Sequence, residues 1–180
     1  MVTVKERYVP LLLTLVVIIT DQFLKGMVVA NLQIAQPVPV IGDVVRLTYV
    51  QNSAIAFSIG RSIPEEVRRV LLLILPLAVI SIISIYYLTT NDMSLLRRYL
   101  IAAIIGGGIG NYIDRIMRPD GVVDFVDVKF YGILGFDRWP TFNLADSVVV
   151  VAGILLIASS LLRPYREQDP FLADSNEESS

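Results

Sequence analysis

Long apolar stretches separated by short charged breaks dominate the pattern of hydrophobic and polar positions. The charge-free runs extend over 8–20, 70–91, 99–113 and 147–162. A membrane-spanning helix needs about 20 mostly apolar residues. Only the second run has that length alone, and the others reach it by including charged residues at one end. The pattern therefore predicts four membrane-spanning helices, at about 8–28, 68–90, 97–117 and 142–162.

The connections between these helices differ in length and character. A short polar turn joins the second helix to the third. The segment 29–69 is long and contains several prolines and glycines, and the alternation of Val45, Leu47 and Tyr49 predicts a short strand within it. We therefore predict a small β-like, amphipathic cap between the first two helices. The connection 117–141 is rich in aromatic residues, which favour the headgroup level of a bilayer.

The composition agrees with an all-α membrane protein and excludes several kinds of catalysis. Of the 180 residues, 54% are hydrophobic and 18% are charged, against about a quarter charged in soluble domains. The chain has no cysteine and no histidine, which excludes cysteine nucleophiles, Ser-His-Asp triads, disulfides and zinc sites built from Cys and His. The net charge of −2 and the lack of a basic stripe give no indication of nucleic-acid binding.

The charges also suggest the domain limits. The segment 167–180 has five acidic residues and no basic one, which predicts a disordered tail after a single domain over 1–166. Lys5 and Arg7 before the first apolar run are also typical of a secretory signal. Against a cleaved signal, Asp21 and Lys25 interrupt the stretch where a cleavage region should be uncharged, and three more spans follow.

Four spans place both termini on one side of the membrane and gather the charged helix ends on the other. Asp21, Asp114 and Asp146 then share that other side with both long loops, and this clustering indicates a site. The density of basic residues favours cytoplasmic termini and an extracytoplasmic site. The basic residues on the side of the termini are Lys5, Arg7, Arg97, Arg98, Arg163 and Arg166.

The third helix and the loop after it carry polar residues in an ordered pattern. Asn111, Asp114 and Arg115 lie at i, i+3 and i+4 and therefore on one helical face. A structural Asp–Arg pair at a helix end is an equally good interpretation of the last two. In the GVVDFVD segment that follows, Asp124 has apolar neighbours, whereas Asp120, just before it, and Asp127 are consistent with ordinary loop charges.

The fourth helix opens with TFNLADS, in which Asn143 is a candidate N-cap and Asp146 suits the positive helix terminus. Capping needs only one acid, and it does not explain the excess of aspartates on the same face. In the first helix, the i, i+4 spacing of Asp21 and Lys25 favours a local salt bridge. Asn52, in QNSAIAFS, carries no signal on its own.

Carboxylates can perform acid–base chemistry without histidine. Two aspartates a few ångströms apart share one proton, so the ionised one activates water and the neutral one donates to the carbonyl oxygen. That is amide hydrolysis by an aspartyl dyad. A metal site of carboxylates and amides, a proton or cation relay in a small transporter and a structural adaptor remain open alternatives on composition alone.

Five motifs in order closely resemble the lipoprotein signal peptidase family, signal peptidase II of bacteria. The resemblance extends to about Arg163 and implies an aspartic endopeptidase of the inner membrane, without cofactor or metal. It further implies cleavage of diacylglyceryl-modified prolipoproteins just before the lipidated cysteine, by a monomer among membrane lipids. The motifs are TDQFLK (20–25), the Asn52 segment, GGGIGNYIDR (106–115), VVDF (122–125) and FNLAD (142–146).

The resemblance also implies roles for individual residues. The family's catalytic pair matches Asp124 and Asp146. Its supporting residues match Asp21, Asn52, Asn111, Asp114, Arg115 and Asn143. We expect the asparagines at 111 and 143 and the arginine to orient the dyad or the scissile carbonyl, and Asp114 to hold Arg115 or the helix end.

Two local features depart from known patterns. The family usually has glycine at the position of Ala54, which bears on the conformation of that loop. Presenilin-like proteases carry a Gly-x-Gly-Asp signature, whereas this chain has Asn111 after Gly108, Ile109 and Gly110. The second difference weakens that alternative.

Overall fold

A computed structural model describes residues 3–52 and 64–162, apart from the side chains of Glu65 and Arg69. These residues form five helices and three strands, with a single 3₁₀ turn at Ile133–Gly135. The predicted tail at 167–180 and the family departure at Ala54 lie outside the described residues. The elements are α1 (Val4–Tyr8), α2 (Leu11–Asn31), β1 (Val38–Ile41), β2 (Val45–Asn52), α3 (Glu65–Thr89), α4 (Leu95–Met117), β3 (Val122–Val128) and α5 (Leu144–Leu161).

Four helical stretches in the described part of the chain are long and apolar enough to cross a membrane. They agree with the predicted spans to within a few residues, so the prediction of four helices is confirmed. Their outward faces carry exposed apolar side chains such as Leu12, Ile74 and Ile154, as a lipid-facing surface requires. The four stretches are Val4–Asn31, Glu66–Thr89, Leu95–Met117 and Leu144–Leu161.

Helix α4 occupies the centre and packs against α2, α3 and α5. Its glycines allow this, because small residues let helix backbones approach closely in membranes. A Cβ atom on Gly107 would lie 2.7 Å from the carbonyl oxygen of Ala145 in α5. A Cβ atom on Gly110 would lie 2.7 Å from Oδ2 of Asp21 in α2. The glycine-rich sequence of α4 therefore sets the position of the helices that carry the charged residues.

The three strands form one antiparallel sheet in the order β1-β2-β3. Strand β2 confirms the predicted strand around 45–49, and β1 pairs with it in a hairpin. Strand β3 was not predicted, because its sequence VVDFVDV has no regular alternation from which to identify a half-buried strand. The sheet is thus not built from the segment 29–69 alone, because the connection between α4 and α5 supplies its third strand. Residues 53–63 of that segment lie outside the described part.

A charged cluster at the turn end of the hairpin joins β2, β3 and the turn between β1 and β2. Asp127 in β3 accepts hydrogen bonds from Arg46 Nη2 at 2.7 Å and Arg138 Nε at 2.5 Å. Asp43 accepts from Lys129 Nζ at 2.6 Å, and this contact lowers the pKa of Asp43. Asp127 is buried, so its interpretation as an ordinary loop charge was wrong.

We expect Asp127→Asn to destabilise the protein, because it removes the negative charge between two partly buried guanidinium groups. Hydrogen bonds to charged groups contribute about 1.5–3 kcal/mol, and we expect a loss of about that size. Thermal unfolding of the detergent-solubilised protein measures it. The control is Asp137→Asn in the neighbouring exposed loop, where surface substitutions change stability by about 0.5 kcal/mol or less. Equal losses in both variants would contradict the assignment.

Candidate active site

The charged ends of the helices and the inner strand of the sheet meet at one end of the bundle. Helix α2 contributes Asp21 there, α4 contributes Asn111 and Asp114, and β3 contributes Asp124. The N-terminal turn of α5 lies against them, since the Ala145 backbone N–H donates to Asp21 Oδ1 at 3.1 Å. The structure therefore brings together residues that the sequence places up to 124 positions apart.

Asn143 contacts both aspartates of the predicted pair. As the N-cap of α5, it accepts a hydrogen bond from the Asp146 backbone N–H at 2.9 Å and donates its own N–H to Asp146 Oδ2 at 3.2 Å. Its Nδ2 donates to Asp124 Oδ1 at 2.8 Å. The N-cap predicted at Asn143 is present, Asp146 completes a capping box with it, and the capping residue also bridges to the second carboxyl group. Asn143 is fully buried, so this bridge is shielded from solvent.

Asp124 lies on β3 with a side chain that is almost completely buried. Besides Asn143, Asn52 Nδ2 donates to its Oδ2 at 2.9 Å. Burial raises the pKa of Asp124 to about 6, and the negative charge of Asp146 adds to the rise. The two amide donors act in the opposite direction. Asp124 thus has the raised pKa that acid–base catalysis requires.

Asp146 is held from the other side by α4. Asn111 Nδ2 donates to Asp146 Oδ1 at 2.7 Å. Asn111 Oδ1 in turn accepts from Asn143 Nδ2 at 3.0 Å. The two asparagine amides therefore bond to each other and to both aspartates, so that four side chains from α4, β3 and α5 form one network.

A fully buried ion cluster supports this network from α2. Lys25 Nζ lies 2.8 Å from Asp21 Oδ2 and 2.9 Å from Asp114 Oδ2. The predicted Asp21–Lys25 pair exists, but it is central to the site and not merely local. Sequence reasoning did not place Lys25 among the site residues. An ionisable residue inside a predicted span was the available signal, because such residues face the bundle interior and serve function.

Of the two roles expected for Asp114, the structure shows the one at the helix end and not the one at Arg115. Its carboxylate pairs with Lys25 and, at 3.2 Å, with Arg118 Nε. It also accepts from the Val123 backbone N–H at 3.2 Å. Among the described residues no ion pair joins it to Arg115, so the expected Asp114–Arg115 pair is wrong. Asp114 instead ties the end of α4 to the beginning of β3.

Arg115 lines a cavity of about 570 Å³, and Asn52, which donates to Asp124, lies in the same lining. Arg115 Nη1 donates to the backbone oxygen of Asn111 at 3.1 Å, which keeps the side chain along its own helix. Arg68 and Leu72 also line the cavity. The cavity therefore combines hydrogen-bond donors with apolar surface, and it is large enough to admit part of a peptide.

Two of the four acids of the site are already engaged by a lysine. Within residues 3–52 and 64–162, no group of three or more Asp or Glu side chains could hold a metal ion. The two engaged acids, Asp21 and Asp114, neutralise Lys25. These two carboxylates therefore serve charge compensation inside the bundle.

Comparison with known proteins identifies the family. The profile of the family described as Signal peptidase (SPase) II matches residues 13–162. A lipoprotein signal peptidase of Treponema denticola is 44% identical over 164 residues, covering 91% of this chain and 95% of the relative. One from Treponema pallidum is 45% identical over 156 residues, covering 86% and 84%.

The fold agrees with two bacterial membrane enzymes solved by the in meso method. One has a TM-score of 0.74 at 24% identity, covering 89% of this chain and 92% of the other. The second has a TM-score of 0.71 at 26% identity, covering 86% and 93%. Together with the profile match over most of its length, these likenesses show that the chain is a membrane peptidase that belongs to the signal peptidase II family.

Proposed function

We propose that this protein removes the signal peptide from diacylglyceryl-modified prolipoproteins and cuts just before the lipidated cysteine. The single observation that carries the mechanism is that Asn143 donates hydrogen bonds to both carboxyl groups, from its side-chain Nδ2 to Asp124 Oδ1 and from its backbone N–H to Asp146 Oδ2. One fully buried residue thereby holds two carboxyl groups from distant parts of the chain. The relatives from Treponema, which are named lipoprotein signal peptidases, support the substrate class.

The two carboxyl groups divide the acid and base roles. Asp124, with its raised pKa, retains the shared proton more readily and donates it to the oxygen of the scissile carbonyl. Asp146 lies in the first turn of α5, where the helix terminus favours a negative charge. It takes a proton from the attacking water. Attack forms a tetrahedral intermediate, and return of a proton to the leaving nitrogen completes peptide hydrolysis.

The position of the pair suits a substrate that lies in the membrane. We place both termini in the cytoplasm and the aspartates at the extracytoplasmic face, where water and the lipidated cysteine meet. The signal helix of the substrate would then run along the bundle, with its cleavage site near the cavity beside Arg115. All proposed site residues belong to one chain, so a monomer and one domain over 1–166 are sufficient.

Cleavage of a synthetic lipopeptide tests this proposal. We expect the purified protein in detergent to cut a signal-sequence peptide with a diacylglyceryl cysteine, with the new N-terminus at that cysteine. Activity should persist in excess EDTA, because two carboxyl groups activate water without a metal ion. The matched control is the same peptide with an unmodified cysteine. We expect it to be cut at least about tenfold more slowly, because losing about 1.4 kcal/mol of binding free energy from the lipid contacts is enough for a tenfold change. Intact lipopeptide, or loss of cleavage in EDTA, would contradict the proposal.

A further inference from the structure

We propose that Lys25 is a positioning residue for the aspartate pair: its ammonium group holds the Asn111 amide in the orientation that donates to Asp146. This inference rests on the proposed function. It assigns a catalytic consequence to a residue whose i, i+4 spacing to Asp21 indicated only a local salt bridge.

Lys25 uses all three of its N–H groups inside the protein. An ammonium group has three donors and no acceptor. Two of them face Asp21 Oδ2 at 2.8 Å and Asp114 Oδ2 at 2.9 Å. The third reaches Asn111 Oδ1 at 2.8 Å. Two carboxylates already compensate the positive charge, so the bond to a neutral amide is not needed for charge balance.

The third contact decides which way the Asn111 amide faces. A primary amide presents an acceptor oxygen on one side and a donor NH₂ on the other. With Oδ1 facing Lys25, the NH₂ group faces Asp146 Oδ1 at 2.7 Å. A rotated amide would set its NH₂ against the ammonium group and its oxygen against the carboxylate. Both contacts would be repulsive, and in a buried site such mismatches are costly.

The orientation of the Asn111 amide also fixes the orientation of the Asn143 amide. Asn111 Oδ1 also accepts from Asn143 Nδ2 at 3.0 Å, and that same NH₂ group donates to Asp124 Oδ1 at 2.8 Å. A cation on the amide oxygen polarises the amide and strengthens the bonds that its N–H groups donate. One fully buried ammonium group thus orients the donors on both aspartates.

A charge-balanced pair of variants separates positioning from folding. Lys25→Met alone removes the ammonium group from two buried carboxylates, which destabilises the fold. We therefore compare Lys25→Met/Asp21→Asn with Asp21→Asn, in which Lys25 retains Asp114 and Asn111. On the diacylglyceryl peptide, we expect kcat to be at least about tenfold lower in the double variant, and KM to stay within about threefold. A loss confined to kcat is the mark of an interaction made in the transition state.

Two further readouts are insensitive to a merely structural role. If Lys25 acts through Asn111, adding Asn111→Ala to both proteins abolishes the difference between them to within about threefold, since coupled residues are not additive. The positive charge of Lys25 also lowers the pKa of Asp124. Removing Lys25 should raise the pKa of Asp124. The descending limb of the kcat/KM profile then moves to higher pH, because Asp124 loses its proton only at a higher pH.

The outcomes distinguish failure of this inference from failure of the proposed function. Equal kcat in the charge-balanced double variant and in Asp21→Asn overturns the inference and leaves the proposed function intact. Additive losses with Asn111→Ala, or an unmoved pH profile, also overturn it. An inactive wild-type protein overturns the proposed function, and this inference with it.

Discussion

Asp124→Asn and Asp146→Asn should each lower the rate of lipopeptide cleavage by about 10²–10⁴-fold, the usual contribution of a general acid or base. Asparagine retains the shape of aspartate but can neither hold nor accept the transferred proton. The two losses should not multiply in the double variant, because the carboxyl groups act on one shared proton. Single-turnover cleavage of the diacylglyceryl peptide measures all three rates.

The control for these variants is Asp92→Asn. Asp92 is an exposed acid in the turn between α3 and α4, at the opposite end of the bundle. We expect the Asp92→Asn protein to cleave the diacylglyceryl peptide at the wild-type rate. Thermal unfolding of the dyad variants should show folded proteins. A folded Asp124→Asn or Asp146→Asn protein with activity within about tenfold of wild type, well below the loss expected of a general acid or base, would refute the assignment of the pair.

Gly107→Ala should damage both stability and catalysis. The added Cβ atom would lie 2.7 Å from the Ala145 carbonyl oxygen and 2.7 Å from Val149 Cγ2. A backbone oxygen cannot rotate away, so α5 must shift relative to α4. Overpacking of this kind costs about 1–3 kcal/mol. Because the first turn of α5 positions Asn143 and Asp146, we expect a further drop in kcat of about 10²-fold, as for a misplacement of about 1 Å.

The matched control uses the same substitution in open space. A Cβ atom on Gly153 of α5 would meet nothing within 4 Å. Gly153→Ala should therefore leave kcat unchanged and raise the stability by up to about 1 kcal/mol, the helix-propensity difference between the two residues. Thermal unfolding and lipopeptide kinetics on both proteins give the comparison. A Gly107→Ala protein as active as Gly153→Ala would show that the α4–α5 distance does not control the site.

The helices were the most predictable part of the protein. A spanning helix needs a long apolar run, so the pattern identified all four, and the N-cap at Asn143 followed from local sequence. Strand β3 was missed because its sequence has no regular alternation. Since Asp124 lies on β3, its near-complete burial and raised pKa followed from a strand that pattern analysis did not find. Local spacing also suggested an Asp114–Arg115 pair, whereas the fold brings Lys25 and Arg118 to that carboxylate.

The order of five motifs and the supply of carboxylates without histidine or cysteine determined the family and the kind of chemistry. These are properties of residue identity and spacing, which hold before the chain folds. Only the tertiary structure decided how the motifs meet. Hydrogen bonds between side chains depend on distances of a few ångströms between segments far apart in sequence. The bridge from Asn143 to both aspartates, and the line of contacts from Lys25 through Asn111, therefore emerged only when α2, α4, β3 and α5 were packed together.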